Sequence, residues 1–263
     1  MKLVAREAGA GPPVVLLHGL FGMARNLGAV ARGLADRHRV LALDLRNHGA
    51  SPHGAAMDYP TMAADVAETL AALRALPAAV MGHSMGGKVA MTLALTHPAA
   101  VTRLAVSDIA PVAYPPRNAP MVAAMRALTL HPGLTRAAAD AALAAAVPDA
   151  AQRAFLLSNL RLDPVPAWRA GLDEIAAALP ALEGWPDLAA PPWSAPPWPG
   201  PALFIAGARS DFIRPEHRAP IRALFPAARF VTVKNAGHWV HADNPEGFLG
   251  VLRPFLAPSM PAA

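Results

Sequence analysis

Four short apolar runs punctuate the first 110 residues, with helical patterns between them. Residues 14–17 (Val-Val-Leu-Leu) run into a glycine-containing turn, the mark of a strand buried on both faces of a parallel sheet. Leu27, Val30, Ala31 and Leu34 then recur at helical spacing, and a second run at 40–43 ends on Asp44. A helical pattern opening at Thr61 puts Val66, Leu70 and Leu73 on one face. The run 78–81 leads into the glycine-rich segment 82–87, and Val89, Ala90, Leu93 and His97 mark a helix that Pro98 stops. Residues 101–106 form the fourth run. This βα alternation predicts an α/β fold with a parallel sheet and helices on both faces.

The alternation breaks at Pro111. From there to Pro201 the pattern is helical without convincing strands: Val122, Met125 and Leu128 in one segment, Leu172, Ile175 and Leu179 in another. Proline-rich joints separate them, above all 186–201, whose Trp193 and Trp198 are expected to be packing anchors. The rhythm resumes with a strand at 202–206, a helix at 215–225 opened by Pro215, a strand at 230–233 and a helix at 246–256. Residues 258–263 read as a frayed tail. The predicted organisation is one core in two parts, 1–110 and 201–263, interrupted by a helical cap and proline-rich connector over 111–200.

Composition narrows the class. With 263 residues, 54% hydrophobic and 16% charged, the chain can bury a large core and is far from a disordered signature. The zero cysteine count removes disulfides, thiolate nucleophiles and thiolate metal sites together. The net charge of +5 comes from scattered residues in which arginine outnumbers lysine, with no clustered phosphate footprint, so no nucleic-acid partner is expected. Met1, Lys2, Arg6 and Glu7 open the chain without an apolar signal core, and no apolar run approaches the ~18 residues of a membrane span. The expected location is the cytoplasm.

The chemistry is carried by three glycine-containing motifs. Gly82-His83-Ser84-Met85-Gly86 stands between an apolar run and a helical pattern, the context of a G-x-S-x-G nucleophile elbow. Ser84 then occupies a strained turn that lifts its hydroxyl above the sheet, while the backbone N–H of Met85, at a helix N-terminus, is available to developing negative charge. His18-Gly19-Leu20-Phe21-Gly22 follows the first run and can aim the N–H of Leu20, or of Phe21, at the same oxyanion. His18 itself is expected to support that loop through hydrogen bonds. Asn235-Ala236-Gly237-His238-Trp239 follows the last strand and offers His238 as general base, with His241 the near alternative.

These blocks, together with Asp44-Leu45-Arg46-Asn47-His48-Gly49, Met57-Asp58-Tyr59-Pro60 and Asp108-Ile109-Ala110-Pro111, resemble the α/β-hydrolase superfamily. Within it they are most similar to small bacterial esterases related to the mammalian abhydrolase-domain-containing protein 11. The resemblance spans nearly the whole chain except the cap. It implies an α/β-hydrolase fold and a serine esterase acting on carboxylic acyl esters, with acyl-thioesters a further class, through an acyl-enzyme and water.

The resemblance also bears on the acid that must orient His238. Many superfamily members place it after the strand at 202–206, which nominates Asp211; the subgroup uses the end of the preceding sheet strand, which is Asp108. The Gly-x-x-Asp spacing from Gly207 lands on Ser210, one residue short of Asp211. Asp108 also ends a strand, where the groups of open-sheet active sites collect. Asp108 is therefore preferred and Asp211 kept as the alternative, while Asp44 is expected to orient the loop 46–48. No metal or cofactor is called for. Two other readings stand beside the esterase: a lyase or C–C bond hydrolase on the same fold, and an inactive hydrolase-like binding module.

Overall fold

The computed structural model describes residues 1–190 and 192–257, so the expected tail at 258–263 and Pro191 of the connector lie outside the described residues. Its centre is a seven-stranded sheet in the order β1-β3-β2-β4-β5-β8-β9. The strands are β1 (Ala5–Ala8), β2 (Pro13–Leu17), β3 (Arg39–Leu43), β4 (Ala78–His83), β5 (Val101–Ser107), β8 (Ala202–Gly207) and β9 (Ala228–Val233). β1 pairs antiparallel with β3, and all the other pairings are parallel. The predicted fold class, an α/β-hydrolase fold with a mostly parallel sheet flanked by helices, is borne out.

The two-residue period of each strand divides the core. Val15, Leu17, Leu41, Leu43, Val80, Leu104 and Val106 face one side, packed against α2 (Tyr59–Ala72) and α3 (Met85–Thr96). Val14, Leu16, Val40, Ala42, Met81 and Ala105 face the other, under α1 (Gly28–Leu34) and the C-terminal helix Pro245–Leu256. Burying each of the Val, Leu and Met side chains among them contributes roughly 1.5–3 kcal/mol. α3 is buried from Met85 to Leu95, as a helix apolar on every face must be. α2 begins two residues before the Thr61 expected to open it, because the Asp58 carboxylate caps it by accepting the Thr61 N–H at 2.7 Å.

Between β5 and β8 the chain forms α4 (Ala119–Ala127), α5 (Arg136–Leu143), α6 (Ala150–Leu157) and α7 (Leu172–Glu183). A two-stranded antiparallel ladder, β6 (Leu160–Arg161) with β7 (Ala167–Trp168), interrupts them and corrects the strand-free reading of this segment. Of the connector tryptophans, Trp198 is buried against Phe225, whereas Trp193 is 42% exposed. After β8 come α8 (Arg218–Leu224), β9, the short α9 (Val240–Asp243) and α10 (Pro245–Leu256). Among the described residues no helix is long and apolar enough to cross a membrane.

Candidate active site

Ser84 joins β4 to α3 with φ 51° and ψ −120°, a left-handed conformation costly for a residue with a Cβ. Its neighbours hold it there. The Ser84 N–H donates to the Ser107 carbonyl at 3.0 Å, and its own carbonyl accepts from the N–H groups of Gly87 and Lys88. The turn closes only because Gly82 and Gly86 lack side chains. A Cβ on Gly82 would stand 2.1 Å from the Gly86 oxygen, and one on Gly86 would stand 2.4 Å from that of Leu17.

Asp108 follows β5 with φ 56° and is fully buried. Its carboxylate accepts from the Gly207 N–H at 3.1 Å, from the Ser210 hydroxyl, and from Nδ1 of His238 at 2.8 Å. Nε2 of His238 lies 3.0 Å from Oγ of Ser84. With Nδ1–H facing a carboxylate, Nε2 presents a lone pair to the hydroxyl. The loop after β9 delivers the imidazole, and Nε2–H of His83 fixes that loop by donating to the His238 carbonyl at 2.8 Å. Three loops thus bring Ser84, His238 and Asp108 into one chain of hydrogen bonds.

The alternatives stand elsewhere. The Asp211 side chain is 59% exposed and pairs with Arg214 at 3.0 Å, a contact that holds its carboxyl below the ordinary range. His241 is buried, its Nδ1 has no hydrogen-bond partner among the described residues, and burial pushes it down to about 4.

The loop after β2 is held by two buried histidines. His18 donates Nδ1–H to the Gly19 carbonyl and accepts the Leu45 N–H on Nε2 at 3.0 Å, so it supports the loop as expected. His48 accepts the N–H of Phe21 at 3.1 Å, which removes Phe21 from the candidate oxyanion donors. Leu20 and Met85 both line the cavity in front of Ser84, and neither N–H has an acceptor among the described residues. Burial lowers His18 to about 4 and His48 to about 3, so both are neutral supports at pH 7. Asp44 accepts from the N–H groups of Ala24 and Ala50 and so ties the start of the first helical segment to the 46–50 loop.

The cavity measures about 480 Å³, within the range of small-molecule sites. Leu27, Met121, Phe155, Leu156 and Trp239 give it an apolar wall. Lys88 also lines it, buried with its ammonium 5.4 and 5.0 Å from the rings of Tyr59 and Tyr114. It donates to the Glu183 and Gly184 carbonyls at the end of α7, and burial lowers it to about 7. Tyr59 donates to the Leu182 carbonyl, so two core residues hold the last turn of α7 over the cavity.

A model of the α/β-hydrolase fold matches residues 12–245. The chain belongs to the α/β-hydrolase family. The mouse sn-1-specific diacylglycerol lipase ABHD11 is 40% identical over 255 residues, covering 94% of this chain and 81% of that protein. Esterase YbfF of Escherichia coli K12 is 37% identical over 245 residues, covering 93% and 92%. A solved marine microorganism esterase superposes with a TM-score of 0.91 at 33% identity, covering 97% of this chain and all of the other. The expected resemblance to esterases related to ABHD11 is borne out.

In this α/β-hydrolase several residues around the relay were not singled out from the sequence: His83, Lys88, Tyr114 and Phe212, with Ser210 noted only for its spacing. The one signal among them was that spacing, since Ser210 stands where the Gly-x-x-Asp pattern would put an acid.

Proposed function

We propose that the chain is a serine esterase that cleaves carboxylic acyl esters, and acyl-thioesters as a further class, through an acyl-enzyme. The observation that carries this reading is the continuous path from Ser84 Oγ to His238 Nε2 at 3.0 Å and from His238 Nδ1 to Asp108 at 2.8 Å. Its relatives are named esterase and diacylglycerol lipase, which supports the same reaction class.

In this mechanism His238 takes the Ser84 proton as Oγ attacks the acyl carbonyl. The N–H groups of Leu20 and Met85 receive the oxyanion, and the α3 N-terminus adds its dipole. Asp108 holds the imidazole in the tautomer that presents a lone pair to Ser84 and stabilises the imidazolium that forms. His238 then protonates the leaving alcohol or thiol, and water repeats the sequence on the acyl-enzyme. The 111–200 segment acts as a cap, its α6 residues Phe155 and Leu156 forming part of an apolar acyl wall.

The test is a series of activated esters and thioesters with acyl chains of two to eight carbons, run on the wild type and on Ser84→Ala, with fluorophosphonate labelling. The expected result is labelling at Ser84, chain-length-dependent kcat/KM, and loss of roughly a thousandfold or more in the variant. Normal turnover by folded Ser84→Ala would overturn the mechanism, and a flat chain-length profile would overturn the acyl wall.

A further inference from the structure

The loop after β8 reaches the relay with two side chains, Ser210 and Phe212. The Ser210 hydroxyl donates to Oδ2 of Asp108, the same oxygen that faces Nδ1 of His238. Oγ of Ser210 in turn accepts the Phe212 N–H at 3.3 Å. The Phe212 ring then lies on the His238 imidazole, with centroids 3.9 Å apart and planes inclined by 22°. Phe212, Ser210, Asp108 and His238 therefore form a closed circuit of contacts around the base. Outer contacts fix its position. Tyr114 donates its hydroxyl to the Phe212 carbonyl at 2.6 Å and accepts the Ala110 N–H, two residues beyond Asp108. The Arg117 guanidinium lies 4.8 Å from the centre of the Phe212 ring.

We infer that Phe212 is a positioning residue for the general base: its ring holds the His238 imidazole in the plane that joins Asp108 to Ser84. The inference rests on the proposed serine mechanism. The physical argument begins with the hydrogen bonds themselves. Two bonds at opposite nitrogens fix the ends of the imidazole but leave it free to rock about the line between them. A flat aromatic face at stacking distance blocks that rocking and excludes water from one side of the ring. The electron-rich face also favours the imidazolium over neutral imidazole, so the contact strengthens as the proton arrives from Ser84. Phe212 is half-buried and also lines the cavity, so the competing role is a simple wall of the acyl pocket. The two roles separate in kinetics, because a wall acts on substrate binding whereas a positioning contact acts on turnover.

The experiment compares Phe212→Ala, Phe212→Leu and Phe212→Tyr on an activated acetyl ester, whose acyl group is too short to need the pocket wall. Circular dichroism and the one-dimensional proton spectrum of the His238 Nδ1–H accompany the kinetics. Positioning predicts that Phe212→Ala lowers kcat about tenfold to a hundredfold with KM within about twofold of wild type. Phe212→Tyr, which keeps the face, should restore kcat to within about threefold, and the low-field Nδ1–H signal should broaden or vanish in Phe212→Ala but survive in Phe212→Tyr. Where Phe212→Ala fails to fold, Phe212→Leu takes its place, since it keeps the apolar volume and removes only the planar face. A rise in KM at unchanged kcat, or a leucine variant equal to the tyrosine variant, would overturn the inference. Wild-type turnover by Ser84→Ala in the same assays would remove the mechanism beneath it, whatever the Phe212 variants did.

Discussion

Ser210 donates its hydroxyl to the carboxylate of Asp108. The loop after β8 therefore approaches His238 carrying a hydroxyl, and the carboxylate that faces Nδ1 of His238 comes from the end of the neighbouring strand β5. The two loops lie side by side because β5 and β8 are adjacent parallel strands, with Ser107 in register with Ile205. Either loop end is within reach of a histidine delivered from β9, which pairs with β8 on its other side. Asp108 sits fully buried among three donors, whereas Asp211 turns outward to Arg214.

That contrast makes the acid testable. Asp108→Asn should lower kcat by about four orders of magnitude, since an amide imposes the wrong imidazole tautomer while leaving the geometry intact. Asp211→Asn breaks only an exposed ion pair, worth at most about 1 kcal/mol, and should leave kcat within about twofold. Steady-state kinetics on one activated ester, with circular dichroism for both variants, checks it. The reverse ranking would transfer the role to Asp211.

Much of this fold was legible because its signals are local. The runs at 14–17, 40–43, 78–81 and 101–106 each became a sheet strand, and the turn at Ser84 is marked by the apolar run before it and the helical pattern after it. What stayed hidden depends on distant partners. β1 has the sequence Ala-Arg-Glu-Ala, with no large apolar residue, and is a strand because Val40, Leu41, Ala42 and Leu43 offer it an edge. α5 and α6 are only eight residues each and rich in alanine, so few large apolar side chains mark them, although Thr135 and Asp149 cap them by accepting the N–H groups of Ala138 and Gln152. The fate of the Phe21 N–H turns on His48, 27 residues away, and the role of Phe212 on loop geometry that no spacing encodes.

The oxyanion pocket should be sensitive to Gly86→Ala. An added Cβ would stand 2.4 Å from the Leu17 oxygen and 2.5 Å from that of His18, both backbone atoms that cannot swing aside. The start of α3 must then move away from the loop that carries Leu20, which separates the two proposed N–H donors. Stability should fall by about 1–3 kcal/mol from overpacking, and kcat by about a hundredfold if one donor is effectively lost. A urea midpoint and ester kinetics near wild type would contradict this.

Stability should fall as the medium is acidified below about pH 6.5. His18, His48 and His241 are neutral in the fold because burial lowers them to about 4, 3 and 4 from an ordinary value near 6.5. Between those limits the unfolded chain binds more protons than the folded one, so unfolding free energy rises with pH and is lost as pH falls. Each histidine adds up to about 1.4 kcal/mol per pH unit to that slope. Urea titrations from pH 7.5 to 4.5 should show midpoints that start to decline near 6.5 and steepen toward 5. A flat profile across that interval would show that these histidines are not held neutral.

The shared oxygen between Ser210 and His238 implies that the acid can be relocated. Oγ of Ser210 hydrogen-bonds to the very oxygen that Nδ1 of His238 faces. A carboxylate at 210 extends one bond further than the serine hydroxyl, toward the space vacated if Asp108 is shortened to serine. Asp108→Ser alone should resemble loss of the triad acid, lowering kcat by roughly four orders of magnitude. Adding Ser210→Asp should return at least about tenfold of that loss, because a carboxylate near Nδ1 restores the productive tautomer even in imperfect geometry. The double variant will be less stable than wild type, since the buried Gly207 N–H loses its Asp108 acceptor, a cost of about 1–3 kcal/mol. Kinetics of the two single variants and the double variant on one ester form a mutant cycle that reads the coupling directly. Strictly additive losses in folded proteins would show that the β8 loop cannot present an acid to His238, and that Ser210 serves only to hold Asp108.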